Sequence, residues 1–344
     1  MTGLSAQAFE SLQPHQKSFL RSLPKAELHA HLNGCIPLDC LTTLALNTLR
    51  NDETQPSLVQ EGLRILKAGV TLNRIEEAFD LFPAIHHITS TPEAIASATS
   101  AVLDSFLEPI SLGVPPQCAY IELRTTPRSS AFMSREEYLS AVLGEVVKRD
   151  GKASLIVSVD RRMSPQDAAE CISLAIHLRD SGQPIVGIDL CGNPSSGDMK
   201  AFHTLMDTAR RAQLPLTAHI AETENSAEDT TEILSWSPRR LGHATFLDTD
   251  ATLKVFNEKI PIEICLSSNL CCKTVKTLSV HHLRSWLERD HPVIICTDDT
   301  LPFETNLVAE YALLLAQPPL GLGFDEEKVR RIARMGFEYR FPRK

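Results

Sequence analysis

Short apolar runs that end in polar residues recur along the chain, and a helical pattern follows most of them. Runs of this kind are typical of buried strands, and they lie near residues 25–32, 118–124, 153–159, 184–190, 214–220, 239–244, 260–266 and 292–298. Helix-length segments separate them, for example 134–150, 164–180 and 198–212. This alternation predicts an α/β fold, a parallel (β/α)8 barrel of the TIM type, with a doubly wound open sheet as the alternative.

Two of the predicted helices carry start signals. Ser134 is followed three residues later by Glu137, which is typical of a capping box. Ser164 and Asp167 have the same spacing, although Asp is a weaker partner than Glu. Both helices are therefore expected to begin directly after these serines.

The remaining segments define the outline of the chain. We expect one domain over 1–344, with a helical extension over 1–22. Two extra helical segments, 37–50 and 74–112, stand between the first two strands and would cover the mouth of the barrel. The stretch after residue 320 is short and ends GFEYRFPRK, so we expect the last helix to be incomplete.

Composition and charge narrow the class of function. The formal net charge is −9, from 34 basic and 43 acidic residues, whereas a general nucleic-acid or membrane-surface binder needs a strong basic field. We therefore expect a monomer with a small-molecule partner. Nine cysteines without a C-x-x-C pair suit reduced thiols in the cytosol. We find no signal-peptide pattern and no apolar run of about 18 residues.

Polar side chains concentrate at the predicted strand ends, which is the edge where barrel enzymes carry their active sites. These positions are His29, His31, Arg124, Asp160, Cys191, His219, His243, Ser267 and Asp298. His29 and His31 are two residues apart, so a strand points both imidazoles to one face. Two convergent imidazoles form half of a zinc site, but a bare H-x-H is also compatible with ordinary polar residues at a strand end.

Residues at other strand ends strengthen the metal interpretation. Asp298 and Asp299 follow the apolar run PVIICT, where two carboxylates are costly unless a cation or donor binds them. His219 and His243 taken singly are more often structural. Glu222 is either an acid or base, or first-turn charge of a helix. Together these positions predict three imidazoles and one carboxylate around zinc, with room for a water whose pKa zinc would lower.

These motifs, in this order, resemble the adenosine deaminase family. The segments that carry the resemblance are LPKAELHAHLNGCI, GIDLCGNP, AHIAET, RRLGHATF, CLSSN and CTDD. They extend from about residue 23 to 315 and so cover most of the chain. The resemblance implies a (β/α)8 barrel, one Zn²⁺ per chain and hydrolytic deamination of a purine.

The resemblance also implies a role for each matching position. The implied zinc ligands are His29, His31, His219 and Asp298, of which His31 also faces the substrate. Glu222 would protonate the purine ring nitrogen beside the attacked carbon, and His243 would orient and deprotonate the attacking water. Asp299 and the backbone of Gly192 would hold the purine edge.

A narrower resemblance lies in HAHLNG, LFPAIHHIT, YIELRTTPR and SVDRR, which are similar to the adenosine deaminase-like branch that acts on N6-methyl-AMP. Asn33 stands where nucleoside deaminases of the family have Asp, and an amide does not repel a phosphate as a carboxylate would. The further implied nucleotide contacts are His86, Thr125, Thr126, Pro127, Arg128 and Asp160. Among them, Arg128 is expected to bind phosphate and Asp160 the ribose hydroxyls.

The predicted reaction is therefore hydrolysis of N6-methyl-AMP, and of other N6-substituted AMPs, to IMP and an amine. An adenosine or adenine deaminase with the same mechanism is the first alternative. A different amidohydrolase is the second, although the strand ends lack an obvious lysine for a two-metal site. A barrel retained only for purine binding is the third, and the presence of every expected polar group disfavours it.

Overall fold

A computed structural model describes residues 3–51, 56–109 and 111–343 of the chain. Its centre is a sheet of eight parallel strands that pair in chain order. The strands are β1 (Ala26–His31), β2 (Tyr120–Thr125), β3 (Ala153–Asp160), β4 (Ile185–Cys191), β5 (Leu216–Ile220), β6 (Arg240–His243), β7 (Ile262–Ile264) and β8 (Val293–Ile295). Each of them lies within, or overlaps, a strand predicted from the sequence.

The sheet closes on itself just beyond the end of β8. The Asp298 amide donates to the His29 carbonyl at 2.8 Å, and the His31 amide donates to the Asp298 carbonyl at 3.2 Å. These two bonds form a parallel bridge between β1 and the chain after β8. The barrel prediction is confirmed and the open sheet is excluded. Closure also brings Asp298 beside the two histidines of β1.

Helices surround the barrel and fill most of the connections between strands. Within the described residues they are α1 (Leu4–Ser11), α2 (Pro14–Ser22), α3 (Leu38–Asn51), α4 (Pro56–Ala68), α5 (Phe82–Ile88), α6 (Pro92–Leu107), α7 (Arg135–Val147), α8 (Pro165–Asp180), α9 (Met199–Arg211), α10 (Ala227–Ser235), α11 (Thr249–Asn257), α12 (Leu266–Cys271), α13 (Leu283–Glu288), α14 (Leu307–Leu315) and α15 (Glu326–Glu338). The helical N-terminal extension consists of two helices, α1 and α2, and Pro14 begins the second.

The insertion between β1 and β2 is helical, as predicted, but more extensive. Helices α3, α5 and α6 occupy the two segments singled out in the sequence, and α4 forms between them. A 3₁₀ segment, Ile75–Leu81, leads into α5. Phe79 and Phe82 of this region line the cavity at the top of the barrel. The insertion therefore covers the barrel mouth.

The expectation that the last helix is incomplete is wrong. Helix α15 has 13 residues, and the Asp325 side chain caps it by accepting from the Lys328 amide at 2.7 Å. Its buried positions recur at helical spacing and are Val329, Ile332, Ala333 and Gly336. Gly336 allows close packing on β1, because a Cβ there would lie 3.3 Å from the Ala26 Cβ.

Two bulk features accompany this fold. No helix in the described part of the chain combines the length and the apolar character that crossing a bilayer requires. The nine cysteines are all free thiols, and most of them are buried. The framework is therefore held by packing and polar contacts rather than by disulfides.

Replacing Ser134 with Ala should lower the free energy of unfolding by about 1 kcal/mol, because the N-cap of α7 is lost. The Ser134 hydroxyl accepts from the Glu137 amide at 3.2 Å, and the Glu137 carboxylate accepts from the Ser134 amide at 2.8 Å. Urea denaturation followed by circular dichroism measures the change. Ser140→Ala, an exposed position inside the same helix, is the matched control and should not destabilise. Equal stability of Ser134→Ala and wild type would contradict the capping role.

Candidate active site

A cavity of about 400 Å³ opens at the carboxyl ends of the strands. The predicted site residues that line it are His31, Asn33, His86, Thr125, Thr126, Arg128, Asp160, Gly192, His219, Glu222, His243, Asp298 and Asp299. His29 is fully buried beneath these side chains. Pro127 is not part of the lining, and its carbonyl faces the Cys171 thiol at 4.0 Å. Ser267 is also outside the lining, where its amide donates to Glu310.

A cluster of imidazoles and one carboxylate forms the floor of this cavity. The Nε2 atoms of His31 and His219 are 3.1 Å apart. Asp298 Oδ1 lies 3.4 Å from His31 Nε2 and 3.6 Å from His29 Nε2. His243 Nε2 lies 3.8 Å from the other oxygen of Asp298. Ligand atoms of His29, His219, His243 and Asp298 all fall within 4.8 Å of one another, a spacing that could hold a metal ion.

The hydrogen bonds around the cluster leave nitrogen lone pairs pointing inward. His29 Nδ1 lies 2.7 Å from a Glu263 oxygen, and His219 Nδ1 lies 2.8 Å from the Leu190 carbonyl. Both Nδ1 atoms therefore act as donors, which makes each Nε2 an acceptor in the neutral imidazole that a metal ion requires. His29 Nε2 is buried and has no hydrogen-bond partner. A buried acceptor beside other ligand atoms fits a cation, so the residues present fit a metal ion.

The chain adopts left-handed backbone angles at two of the strand ends that carry this cluster. His243 has a φ of 60° and Asp298 a φ of 62°. Such angles are uncommon for residues other than glycine and persist where the surroundings fix them, often at functional sites. Gly242 also makes room for the cluster, because a Cβ there would lie 2.9 Å from the His29 ring.

A buried ion network lies directly beneath the imidazoles. Arg124 donates to Glu263 at 2.8 Å and to Asp189 at 3.2 Å. These carboxylates are the partners of His29 and His219, since Asp189 Oδ1 is 3.1 Å from His219 Nδ1. Burial alone would raise the pKa of Glu263, but the guanidinium groups of Arg124 and Arg240 hold this pKa well below its usual range. Glu263 therefore stays ionised and accepts from His29.

Sequence reasoning missed both carboxylates of this network and placed Arg124 only at a strand end. Glu263 and Asp189 stand inside the apolar runs IPIEICL and PIVGIDL. A charge within a buried strand is costly unless it is paired. That signal could have identified them, although only the structure shows that Arg124 is their shared partner.

Glu222 and His243 lie beside the cluster and could exchange protons with a substrate. Their side chains are 3.7 Å apart, and Glu222 Oε1 is buried without a hydrogen-bond partner. Burial raises the pKa of Glu222, which favours a protonated carboxyl. Burial lowers the pKa of His243 to about 3, which keeps its imidazole neutral. One group is thus suited to donate a proton and the other to accept one.

A cationic corner of the cavity is built around Arg128. Its guanidinium donates to the Asn33 carbonyl oxygen at 3.3 Å, and the Asn33 amide donates to the Tyr138 hydroxyl at 3.3 Å. Tyr138 also shares a 2.7 Å hydrogen bond with Thr125. Asn33 thus holds Arg128 without neutralising its charge.

Tyr138 was not recognised in the sequence, because a tyrosine at a helical apolar position is typical of a core residue. It is fully buried in α7, and the Arg128 guanidinium lies 5.7 Å from the centre of its ring. The hydroxyl connects Asn33 to Thr125. Only the packing of α7 against the strand ends brings these residues together.

A second arginine contributes to the same side of the cavity. Arg162 donates to both oxygens of Asp160, at 2.9 and 2.6 Å, so the predicted ribose ligand is paired with a cation. Gly192 packs on that carboxylate with a φ of 101°, and a Cβ there would lie 2.5 Å from it. His86 faces the cavity, and burial together with Arg128 and Arg162 holds its pKa well below the usual range.

Comparison with known proteins agrees with this geometry. The adenosine deaminase family model matches residues 24–343. The chain is 35% identical to human N6-methyl-AMP deaminase over 321 residues, which is 88% of this chain and 86% of that protein. It is 34% identical to the Xenopus laevis protein N6-methyl-AMP deaminase-L over 304 residues, which is 86% of this chain and 84% of that protein.

Solved structures show the same similarity. The Arabidopsis N6-mAMP deaminase MAPDA superposes with a TM-score of 0.84 at 31% identity, covering 94% of this chain and 95% of that one. Arabidopsis ADAL complexed with IMP gives the same TM-score and identity over 94% of each chain. The family model matches nearly the whole chain, and the solved relatives share its fold. The chain therefore belongs to the adenosine deaminase family and is a deaminase of the hydrolase class.

Replacing Tyr138 with Phe should raise the dissociation constant for IMP about two- to tenfold, because one hydrogen bond that aligns Asn33 with Arg128 is lost. Isothermal titration calorimetry measures this, and inosine binding, which involves no phosphate, should stay unchanged. Tyr311→Phe is the matched control, since that buried hydroxyl has no hydrogen-bond partner. Equal IMP affinity in the two variants would show that Tyr138 does not align the cationic corner around Arg128 for binding.

Proposed function

We propose that this chain is a zinc-dependent aminohydrolase that converts N6-methyl-AMP to IMP and methylamine. The observation that carries the proposal is one cavity with an imidazole–carboxylate cluster on its floor and Arg128, held by neutral Asn33, in its lining. The human relative bears the name N6-methyl-AMP deaminase, and the Arabidopsis relative has been crystallised with IMP and with GMP. These names support a purine nucleoside monophosphate as the ligand.

The metal is assigned to His29, His31, His219 and Asp298. Imidazole nitrogen and carboxylate oxygen are common zinc ligands, and the orphaned His29 Nε2 supports this set. Zinc held there would supply Lewis-acid activation of a water. His243 lies at the same spacing from Asp298, so its assignment as a base rather than a ligand is part of the proposal.

The proton transfers follow from the environments of two side chains. His243, neutral because it is buried, accepts a proton from the attacking water. Glu222, whose pKa is raised by burial, donates a proton to the purine nitrogen beside the attacked carbon. The water oxygen bonds to that carbon, and the bond to the methylamino nitrogen then breaks. Methylamine leaves with the proton that His243 took from the water, and the second water proton returns to Glu222. Water and N6-methyl-AMP thus yield IMP and methylamine.

Recognition of the base is assigned to Asp299 and the Gly192 backbone, which line the cavity. Asp299 Oδ1 is buried without a hydrogen-bond partner. Its carboxylate also packs on Gly34, where a Cβ would lie 1.7 Å from that oxygen. A purine N–H would donate to this oxygen. Burial and the neighbouring Asp298 raise the pKa of Asp299 well above its usual range, so a protonated carboxyl would instead donate to a ring nitrogen.

Recognition of the phosphate and the ribose is assigned to a second set of polar side chains that line the cavity. Arg128 is proposed to bind the phosphate, with Thr125, Thr126 and His86 as further contacts. Asp160 is proposed to bind the ribose hydroxyls and is already oriented by Arg162. Asn33 favours a nucleotide over a nucleoside, since it orients Arg128 without adding a negative charge.

We place the enzyme in the cytosol, because nine free thiols suit a reducing compartment.

A panel of N6-methyl-AMP, AMP, N6-methyladenosine and adenosine tests the proposed substrate. We expect purified protein to release methylamine from N6-methyl-AMP far faster than ammonia from adenosine. Amine release measured by coupled assay gives kcat/KM for each compound. Equal or better turnover of adenosine would favour an adenosine deaminase with the same mechanism. Absence of both turnover and bound zinc would favour a purine-binding barrel.

Replacing Arg128 with Ala should raise KM for the monophosphate about ten- to hundredfold, because a hydrogen bond to a charged group contributes about 1.5–3 kcal/mol. The value of kcat should change little, since the phosphate is remote from the reacting carbon. Steady-state kinetics on N6-methyl-AMP measures both. Arg331→Ala, an exposed arginine paired with Asp290, is the control with unchanged KM. An unchanged KM in Arg128→Ala would remove that residue from the phosphate site.

A further inference from the structure

The last residues of the chain close the amino-terminal end of the barrel, opposite the cavity. After α15 the chain runs along the barrel floor, where Phe341 is 4% exposed and packs with Ile156 and Val186. Gly187 provides the space, since a Cβ there would lie 2.6 Å from the Phe341 ring. We call residues 339–343 the C-terminal plug.

The plug is attached to charged side chains inside the barrel. The Phe341 amide donates to Glu122 at 2.6 Å, and Arg240 donates to the Tyr339 carbonyl at 2.9 Å. The Phe341 ring lies 3.7 Å from the Arg240 guanidinium carbon, within cation–π range. Arg343 adds a 2.9 Å hydrogen bond to Ser154. The plug thus binds Arg240 through both a carbonyl and a ring.

Arg240 connects the plug to the metal cluster in two steps. Its Nε donates to Glu263 Oε1 at 2.7 Å. The other oxygen of Glu263 lies 2.7 Å from His29 Nδ1. The path from plug to predicted ligand is therefore Phe341, Arg240, Glu263 and His29. All four side chains are almost completely shielded from solvent.

We propose that the C-terminal plug is a positioning element for the metal site, because it fixes Arg240 and thereby the carboxylate that orients His29. Residues that orient a metal-binding histidine control metal affinity, and their loss costs about 10- to 100-fold. Without the plug, Arg240 loses its carbonyl and aromatic partners, and Glu122 loses the Phe341 amide. Water then enters beneath Glu263, and the His29 imidazole is held less rigidly.

This inference rests on the zinc assignment made above, and Phe341→Ala in the full-length chain tests it. Competition with a fluorescent chelator gives the zinc dissociation constant, which should rise about tenfold or more. The visible spectrum of the Co²⁺-loaded protein should also change, because the ligand geometry is altered. Phe341→Leu retains apolar cover but loses the ring over Arg240, and should give an intermediate loss.

Phe324→Ala is the matched control. It removes a half-buried ring that also lies against a cation, Lys328 at 3.8 Å, but this pair is not connected to Glu263. Its zinc affinity should stay within about twofold of wild type even if its stability falls. Circular dichroism shows whether each variant is folded. If Phe341→Ala does not fold, the zinc dissociation constant of Phe341→Leu is compared with that of wild type instead, and a wild-type value would overturn the positioning role.

The outcomes separate the two proposals. A wild-type protein that binds zinc, with Phe341→Ala and Phe341→Leu showing wild-type affinity and cobalt spectrum, would overturn the positioning role alone. A wild-type protein that binds no zinc would overturn the metal assignment, and this inference with it. Weaker zinc binding in Phe341→Ala, together with wild-type zinc binding in Phe324→Ala, would support the positioning role of the C-terminal plug.

Discussion

The buried pair of Arg124 and Glu263 is the interaction on which the site depends. Glu263 accepts from Arg240 and Thr217 through Oε1, and from Arg124 and His29 through Oε2. Removing one partner of a buried ion pair typically costs about 3–5 kcal/mol, because the other charge is left without compensation. The network therefore requires strands from several parts of the chain to meet in one register. The same contacts fix the tautomer of His29, so stability and function share one set of side chains.

The two ends of the barrel carry different charged and polar side chains. The amino-terminal end is closed by the C-terminal segment and carries Glu122 and Arg240, whereas the carboxyl end presents the imidazoles and Asp298. Left-handed backbone angles at His243 and Asp298 accompany the change from regular strand to site. Such angles persist only where surrounding contacts over-determine them. The buried ion network beneath the imidazoles suits a site whose ligand atoms must be positioned to within about 0.5 Å.

Strand positions and the histidines could be predicted because both signals are local. Parallel strands buried on both faces form continuous apolar runs, and the polar residue that ends each run marks the active-site edge. Helix α15 was expected to be incomplete because the stretch after residue 320 is short, although its apolar spacing is regular. Tyr138 and Arg162 carried no local signal, since a tyrosine in a helix and an arginine in a loop are ordinary. Tyr138 meets Asn33 across 105 residues of the chain, whereas Arg162 pairs with Asp160 only two residues away.

The sequence by itself determined the alternation of strands and helices, the residues at the strand ends and the family to which they belong. Hydrophobic periodicity and residue type are sufficient for these, because each depends on a short stretch of chain. Only the tertiary structure decided that the sheet closes and that Asp298 pairs with β1. It alone also showed that Asn33 holds Arg128 and that Phe341 lies beneath Arg240. These facts join residues that are far apart in the chain, and their geometry is set by packing rather than by local preference.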